Sequence, residues 1–174
     1  MNLMDLMLKR RSIRKYTGEA ISQEKIDMII NAGLMSFSGR NLKPWEFIVV
    51  KDKETLKKLA AAKDSGSAML AEADCAIVVV GNKETTDVWT EDCSVAMTYM
   101  HLMATEQGVG SCWIQCRLRT AAEGGDTEDY MRNLLGIPEN YGVEAMLSLG
   151  MAAQEAKGHS LEDAVREKVH FDKF

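Results

Sequence analysis

Asp92-Cys93-Ser94-Val95-Ala96-Met97-Thr98-Tyr99-Met100-His101-Leu102-Met103-Ala104-Thr105-Glu106-Gln107, followed at once by Gly108-Val109-Gly110-Ser111-Cys112-Trp113-Ile114-Gln115, decides the architecture. Ala96, Tyr99, Met100, Met103 and Ala104 recur at three- and four-residue spacing. That spacing predicts a long apolar helix over 92–107, lying in the core or at a subunit contact. The glycines end it and 111–115 reads as a short strand. Glycines that follow a helix and open a strand reverse the order of a dinucleotide-binding turn, in which the strand comes first. No phosphate-binding P-loop motif occurs either.

Outward from this pair, Ala76-Ile77-Val78-Val79-Val80 is a continuous apolar run, a strand covered on both faces. Phe47-Ile48-Val49-Val50 is a second β-branched strand, and Val143–Leu149 a third. Helical periodicity covers Leu3–Leu8, the stretch capped by Ser22 with Ile26, Ile29, Ile30 and Leu34 on one face, the stretch after Asp52, and Glu128–Leu135 before Gly136. The tail, Leu161–Phe174, reads as a short helix with an extended end. Helices and strands are interspersed without a regular strand–helix repeat, which favours an α+β fold over a doubly wound sheet. The 174 residues hold only two prolines, no linker and no repeat, so one domain spanning 1–174 is expected.

Composition narrows the function. With 46% hydrophobic and 27% charged residues the chain is neither disordered nor membrane-spanning. A net charge of −5 argues against general nucleic-acid binding, and a local basic site stays open. The amino-terminal stretch puts its cations after the apolar residues, unlike a signal peptide, and four unclustered cysteines suit a reducing cytoplasm, the expected location. His101, His159 and His170 are scattered, and Cys112 and Cys116 lack a second pair at zinc spacing, so no metal site is expected. Cys75 and Cys93 read as core thiols, and the twelve methionines mostly as core or interface filler.

Two segments carry chemistry. Lys9, Arg10, Arg11, Arg14 and Lys15 are five cations in seven positions, with Ser12 among them. Guanidinium forks bind phosphate oxygens, and a serine adds a neutral donor. On a helix, Arg10 and Arg14 share a face while Arg11 points elsewhere. The plain alternative is a solvated basic helix end, and from the cluster alone it outweighs the ligand site. The other segment is Ser36-Phe37-Ser38-Gly39-Arg40-Asn41-Leu42-Lys43-Pro44-Trp45, a polar loop running into a strand. Ser38 and Asn41 can donate to or accept from a polar ring edge, although an ordinary turn ended by proline fits equally well.

In this order the segments resemble the FMN-dependent nitroreductase family, specifically its short members. Arg10-Arg11-Ser12-Ile13-Arg14-Lys15-Tyr16 looks like its opening Arg-Arg-Ser-hydrophobic-Arg motif. Ser38-Gly39-Arg40-Asn41-Leu42-Lys43-Pro44-Trp45 is similar to its Ser/Thr-x-x-Asn-x-Gln-Pro-Trp loop. Asp92–Trp113 resembles its long helix ending in Gly-Leu-Gly-Ser/Thr-x-Trp. Leu135-Gly136-Ile137-Pro138 and Leu149-Gly150 match its C-terminal markers.

The resemblance implies a nitroreductase-like sandwich, with a mainly antiparallel central sheet flanked by helices, in an intertwined homodimer with two FMN sites at the interface. It implies that Arg10, Arg11, Ser12 and Arg14 hold the phosphate, ribityl chain and pyrimidine edge, and that Ser38 and Asn41 reach the flavin bound mainly by the other subunit. Gln115 and Cys116 fall where the family offers backbone groups to flavin N5 and O4, and Lys157 and His159 where it has a Lys/Arg pair for the phosphate. Ser67 falls near a position that offers an asparagine to the pyrimidine edge. Phe37 stands where proline is common and is a candidate contact to substrate or flavin. Lys43 replaces glutamine and Cys116 replaces glycine. The implied activity is hydride transfer from NADH or NADPH through flavin N5 to a nitroaromatic, quinone or similar acceptor by a ping-pong route. No catalytic side chain beyond Arg14, as a tuning cation, is then needed. Two other readings remain: the same flavin fold with another reductive task, dehalogenation or flavin fragmentation, and a non-enzymatic anion-binding module.

Overall fold

The computed structural model describes residues 2–174. Four strands, β1 (Trp45–Val50), β2 (Cys75–Asn82), β3 (Gly110–Gln115) and β4 (Tyr141–Gly150), form one sheet in the order β1-β2-β4-β3. Every neighbouring pair is antiparallel. Five α-helices accompany it: α1 (Leu3–Lys9), α2 (Gln23–Leu34), α3 (Lys53–Ala60), α4 (Trp89–Glu106) and α5 (Thr127–Leu135).

The alternation of β2 explains the layering. Ile77 and Val79 face a cluster with Ile26 and Ile29 of α2 and Met97 and Met100 of α4. Val78 and Val80 face the opposite cluster, with Leu56 and Leu59 of α3 and Met131 of α5. Successive strand side chains point to opposite faces, so an unbroken apolar run requires cover on both, and it has it. The result is the expected α+β sandwich with an antiparallel sheet between helices.

One irregularity bears on the site. The β2–β4 register shifts between Val79 and Val80, because Val79 pairs with Ala145 and Val80 with Val143. Glu144 is therefore the extra residue of a bulge, the device that re-aims a strand residue.

Local expectations fail in three places. Ser22 is the N-cap of α2 but makes no side-chain capping bond. The tail has no α-helix; it holds only single 3₁₀ turns at Leu161–Asp163 and Arg166–Lys168. Helix α1 stops at Lys9, held by an Asn2–Asp5 capping box, so the cations that follow it are not helical.

Candidate functional site

From Arg10 onward the chain is an extended arm laid along the edge of the sheet. Ser12 forms a parallel bridge with Ser111 at the start of β3, and the Ile13 amide donates to the Ser111 carbonyl at 2.9 Å. On the other side, Thr17 donates to the Met151 carbonyl (2.9 Å), and Ala153 donates to that of Lys15 (3.0 Å). Two glycines make room for this passage. A Cβ on Gly110 would stand 2.9 Å from Ile13 Cγ2, and one on Gly150 would stand 2.5 Å from Tyr16 Cδ1. The Tyr16 hydroxyl ties the arm down, donating to the Ile13 carbonyl (2.9 Å) and pairing with Ser148 Oγ (2.7 Å).

The helical pairing of Arg10 with Arg14 is thus replaced by the alternation of an extended chain. Ser12 and Arg14 both lie beside the Cys112 thiol, whose pKa burial raises against the opposing pull of Arg14. Arg10 and Arg11 diverge. Arg10 Nη1 lies 3.1 Å from His101 Nε2, and His101 Nδ1 lies 2.6 Å from Ser111 Oγ. A guanidinium only donates, so Nε2 accepts, and Nδ1 carries the proton given to Ser111. Burial, with the Arg10 charge beside it, pushes the His101 pKa down to about 4. Arg11 instead hydrogen-bonds His159, whose own amide donates to the Leu8 carbonyl at 2.8 Å. The arm and the tail therefore meet, and Lys157 lies exposed two residues before His159.

Two concavities flank the arm. One of about 410 Å³ is lined by Lys9, Arg11, Gly110 and Gln154 among others. The second, about 300 Å³, lies between Met7, Arg10, His101, Leu102 and Trp113. The first concavity has the Arg11 guanidinium and Lys9 in its wall and the second has the Arg10 guanidinium, donor-only groups suited to an anion with oxygen acceptors, a phosphate monoester included.

The Ser36–Pro44 loop sits at the other end of α4. The Gly39 amide donates to Asp92 Oδ1 at 2.8 Å, and the Lys43 amide donates to Ser38 Oγ at 2.9 Å. Asn41 is exposed, and Phe37, 66% exposed, meets Tyr99 of α4 edge to face at 6.3 Å. At about 1.5 Å rise per residue, the anchors Asp92 and His101 stand roughly 13 Å apart along α4. Within one chain no hydrogen bond joins Ser38 or Asn41 to the arm.

Ser67, Gln115 and Cys116 turn their side chains inward. Ser67 is buried, and its hydroxyl donates to the Ala60 carbonyl at 2.8 Å, closing the end of α3; it is not free to meet a ligand edge. Cys116 is fully buried in the core, where desolvation raises its thiol pKa, and its amide donates to the Glu144 carbonyl at 3.1 Å. The Gln115 side chain accepts from Trp113 Nε1 (3.0 Å) and donates to the Glu144 carbonyl (3.2 Å), so it braces the strand end. The reason is the bulge: Glu144 turns its carbonyl toward the end of β3 and takes the amides of both Cys116 and Arg117.

Four residues of this framework escaped the sequence reading: Asp92, His101, Ser111 and Glu144. All are buried, and burial pushes the Glu144 carboxyl pKa up. The available signal was a charged or ionisable residue inside an otherwise apolar helix or strand, as at His101 and Glu144. Among the described residues no group of three or more His, Cys, Asp or Glu is placed to hold a metal ion, and no helix is long and apolar enough to cross a membrane.

Comparison with known proteins agrees with this geometry. The model of the nitroreductase family matches residues 7–66 and 60–151. An FMN-dependent nitroreductase from Clostridium difficile R20291 is 42% identical and superposes with a TM-score of 0.96, covering 99% of this chain and 100% of that one. A protein of Archaeoglobus fulgidus, provisionally named an NADH dehydrogenase/NAD(P)H nitroreductase, is 36% identical over 98% of both chains. A provisionally named nitroreductase from Desulfovibrio desulfuricans, solved in complex with FMN, is 27% identical with a TM-score of 0.79, covering 100% of this chain and 99% of that one. With a family match spanning most of its length and a relative 36% identical over 98% of both chains, this chain belongs to the nitroreductase family.

Proposed function

We propose that the chain is an FMN-dependent oxidoreductase that takes reducing equivalents from NADH or NADPH and passes them to a nitroaromatic, quinone or similar acceptor. The observation that carries this reading is the arm itself: Arg10, Arg11, Ser12 and Arg14 fixed in extended form on the edge of β3, with Arg11 and His159 already in contact. FMN, when bound, supplies a two-electron carrier that accepts hydride and releases it to the second substrate. Arg10, Arg11 and Ser12, with Lys157 and His159, are assigned to the anionic tail of the cofactor, where charge-assisted hydrogen bonds are strongest. Arg14, exposed at the end of the arm, is assigned to the ring, where a fixed cation favours the electron-rich state. His101 serves both by fixing Arg10 without competing for an anion, since it stays neutral.

The working unit is proposed to be a homodimer of chains that each form one unit over 1–174. Exposed apolar side chains support it: Leu3, Met4 and Met7 on α1, which buries none of its residues, and Met28, Leu34 and Met35 at α2. Patches of this kind call for a covering surface. A second chain also resolves the separation of the Ser38–Asn41 loop from the arm, because the loop of one protomer then serves the cofactor of the other. Four free cysteines, all buried, support action in a reducing cytoplasm.

The test is direct. Reconstitution with FMN is expected to give a yellow dimer with one cofactor per chain that oxidises NADH or NADPH. Arg14→Ala is expected to weaken FMN retention and lower the reduction potential. A colourless monomer that leaves both nicotinamides unoxidised overturns the proposal.

A further inference from the structure

Asp92 lies in the first turn of α4, is 5% exposed, and has one carboxylate oxygen, Oδ2, that is buried without a hydrogen-bond partner. An ionisable group placed this way is a weak stabiliser, because desolvation of its second oxygen opposes folding. Its one resolved bond is long-range: Oδ1 accepts from the Gly39 amide at 2.8 Å, across fifty-three residues. Gly39 opens a segment in which three of four successive residues, none of them glycine, adopt left-handed backbone: Arg40 (φ 51°), Asn41 (φ 57°) and Lys43 (φ 49°). Residues other than glycine enter that region at a cost, and they stay there only when the surroundings over-determine them. The over-determination is visible. Asp92 holds the first residue, Ser38 Oγ accepts from the Lys43 amide, and the Pro44 carbonyl accepts from the Asn82 amide at 2.9 Å. A side chain on Gly39 would meet Val88 Cγ2 at 3.2 Å, so the loop lies close on the start of α4.

We infer that Asp92 is a positioning residue for the cofactor: it touches neither FMN nor substrate, and it holds the strained loop so that Asn41 is presented to the flavin of the partner protomer. The inference rests on the reading that Ser38 and Asn41 face that flavin. It goes further by placing the control of this contact on a buried acid that belongs to a different element.

The test is a double-mutant cycle on the holoenzyme, read by FMN binding through flavin fluorescence and by amide hydrogen exchange of residues 39–43. Asn41→Ala tests the underlying reading, and Asp92→Ala tests the inference. Asn41→Ala and Asp92→Ala are each expected to weaken FMN binding about tenfold, the size of one lost hydrogen bond. The double variant is expected to be no weaker than Asp92→Ala alone, because Asn41 is already misplaced. Exchange at 39–43 rises in Asp92→Ala. Asp92→Asn keeps an oxygen acceptor for Gly39 and is expected to bind FMN within twofold of the parent. Asp92→Ser, too short to reach Gly39, gives the same cycle if the alanine variant does not fold. Loss of thermal stability with unchanged FMN affinity, or additive effects in the cycle, overturns the inference and leaves the functional reading standing. An Asn41→Ala variant with parental FMN affinity overturns both.

Discussion

Replacing His101 exposes what fixes the basic arm. The imidazole is 7% exposed and bridges Arg10 Nη1 (3.1 Å) to the hydroxyl of Ser111, itself 1% exposed. In His101→Leu the Ser111 hydroxyl loses its partner in a dry site, and Arg10 must turn to solvent. Leaving a buried donor or acceptor unmet costs about 1–3 kcal/mol, which for a chain this long lowers Tm by several degrees. The pH dependence is more specific. An unfolded histidine binds a proton near pH 6.5, whereas folded His101 resists it down to about pH 4. The unfolded state therefore holds more protons between these values and gains on acidification. The contribution of His101 is complete above pH 6.5 and is lost as the pH falls toward 4. Between pH 7 and pH 5 the loss amounts to about 2 kcal/mol. Urea unfolding at both pH values measures it: the parent is expected to lose about 2 kcal/mol more than His101→Gln over this interval. Nitrogen-detected NMR supplies the second reading, with His101 neutral and protonated on Nδ1 at pH 6. Parallel pH profiles for parent and variant, or titration of His101 near 6.5, would refute the reasoning.

Further tests address the rest of the framework. Tyr16→Phe removes the hydroxyl shared by Ser148 and the Ile13 carbonyl and is expected to cost about 1–2 kcal/mol in denaturant unfolding; an unchanged midpoint contradicts the anchoring role. Gly110→Ala sets a methyl 2.9 Å from both the Gly150 carbonyl oxygen and Ile13 Cγ2, and is expected to cost about 1–3 kcal/mol and to loosen FMN, read by melting and by flavin release. All four thiols are buried, with burial raising the pKa of each, so a thiol-reactive dye is expected to label the native protein slowly and all four sites in denaturant. Rapid labelling of one thiol in the native state argues that part of the core is open.

Much of the architecture was readable because it is locally encoded. The unbroken run Ala76–Val80 announced a strand covered on both faces, and the spacing of Ala96, Met100 and Ala104 announced α4, because burial follows the 2- and 3.6-residue periods. The conformation of Arg10–Lys15 was not readable that way. Nothing in five cations separates a helix end from an extended arm, and the choice is made by Ser111, Met151 and Ala153, far along the chain. Sequence separation also hid the partner of Asp92, fifty-three residues away at Gly39, and that of His101, ninety-one away at Arg10. The side-chain surroundings of Ser67 and Cys116 were hidden for a related reason. Their family positions say where the backbone runs, whereas the Ala60 carbonyl and the Glu144 bulge decide where their polar groups turn. The loop at Arg40–Lys43 left no glycine to mark its left-handed residues, so its strain was invisible without coordinates.

The arm reaches across the molecule from early sequence to late, and this sets an order of events during synthesis. Residues 10–17 emerge from the ribosome long before Ser111, Met151 and His159, the groups that fix them. The nascent basic segment therefore waits, unpaired, while the sheet is completed behind it. On the proposed assignment of Lys157 and His159 to the cofactor, prosthetic-group capture is a late checkpoint, and a chain cut short before the tail is expected to lose its hold on flavin.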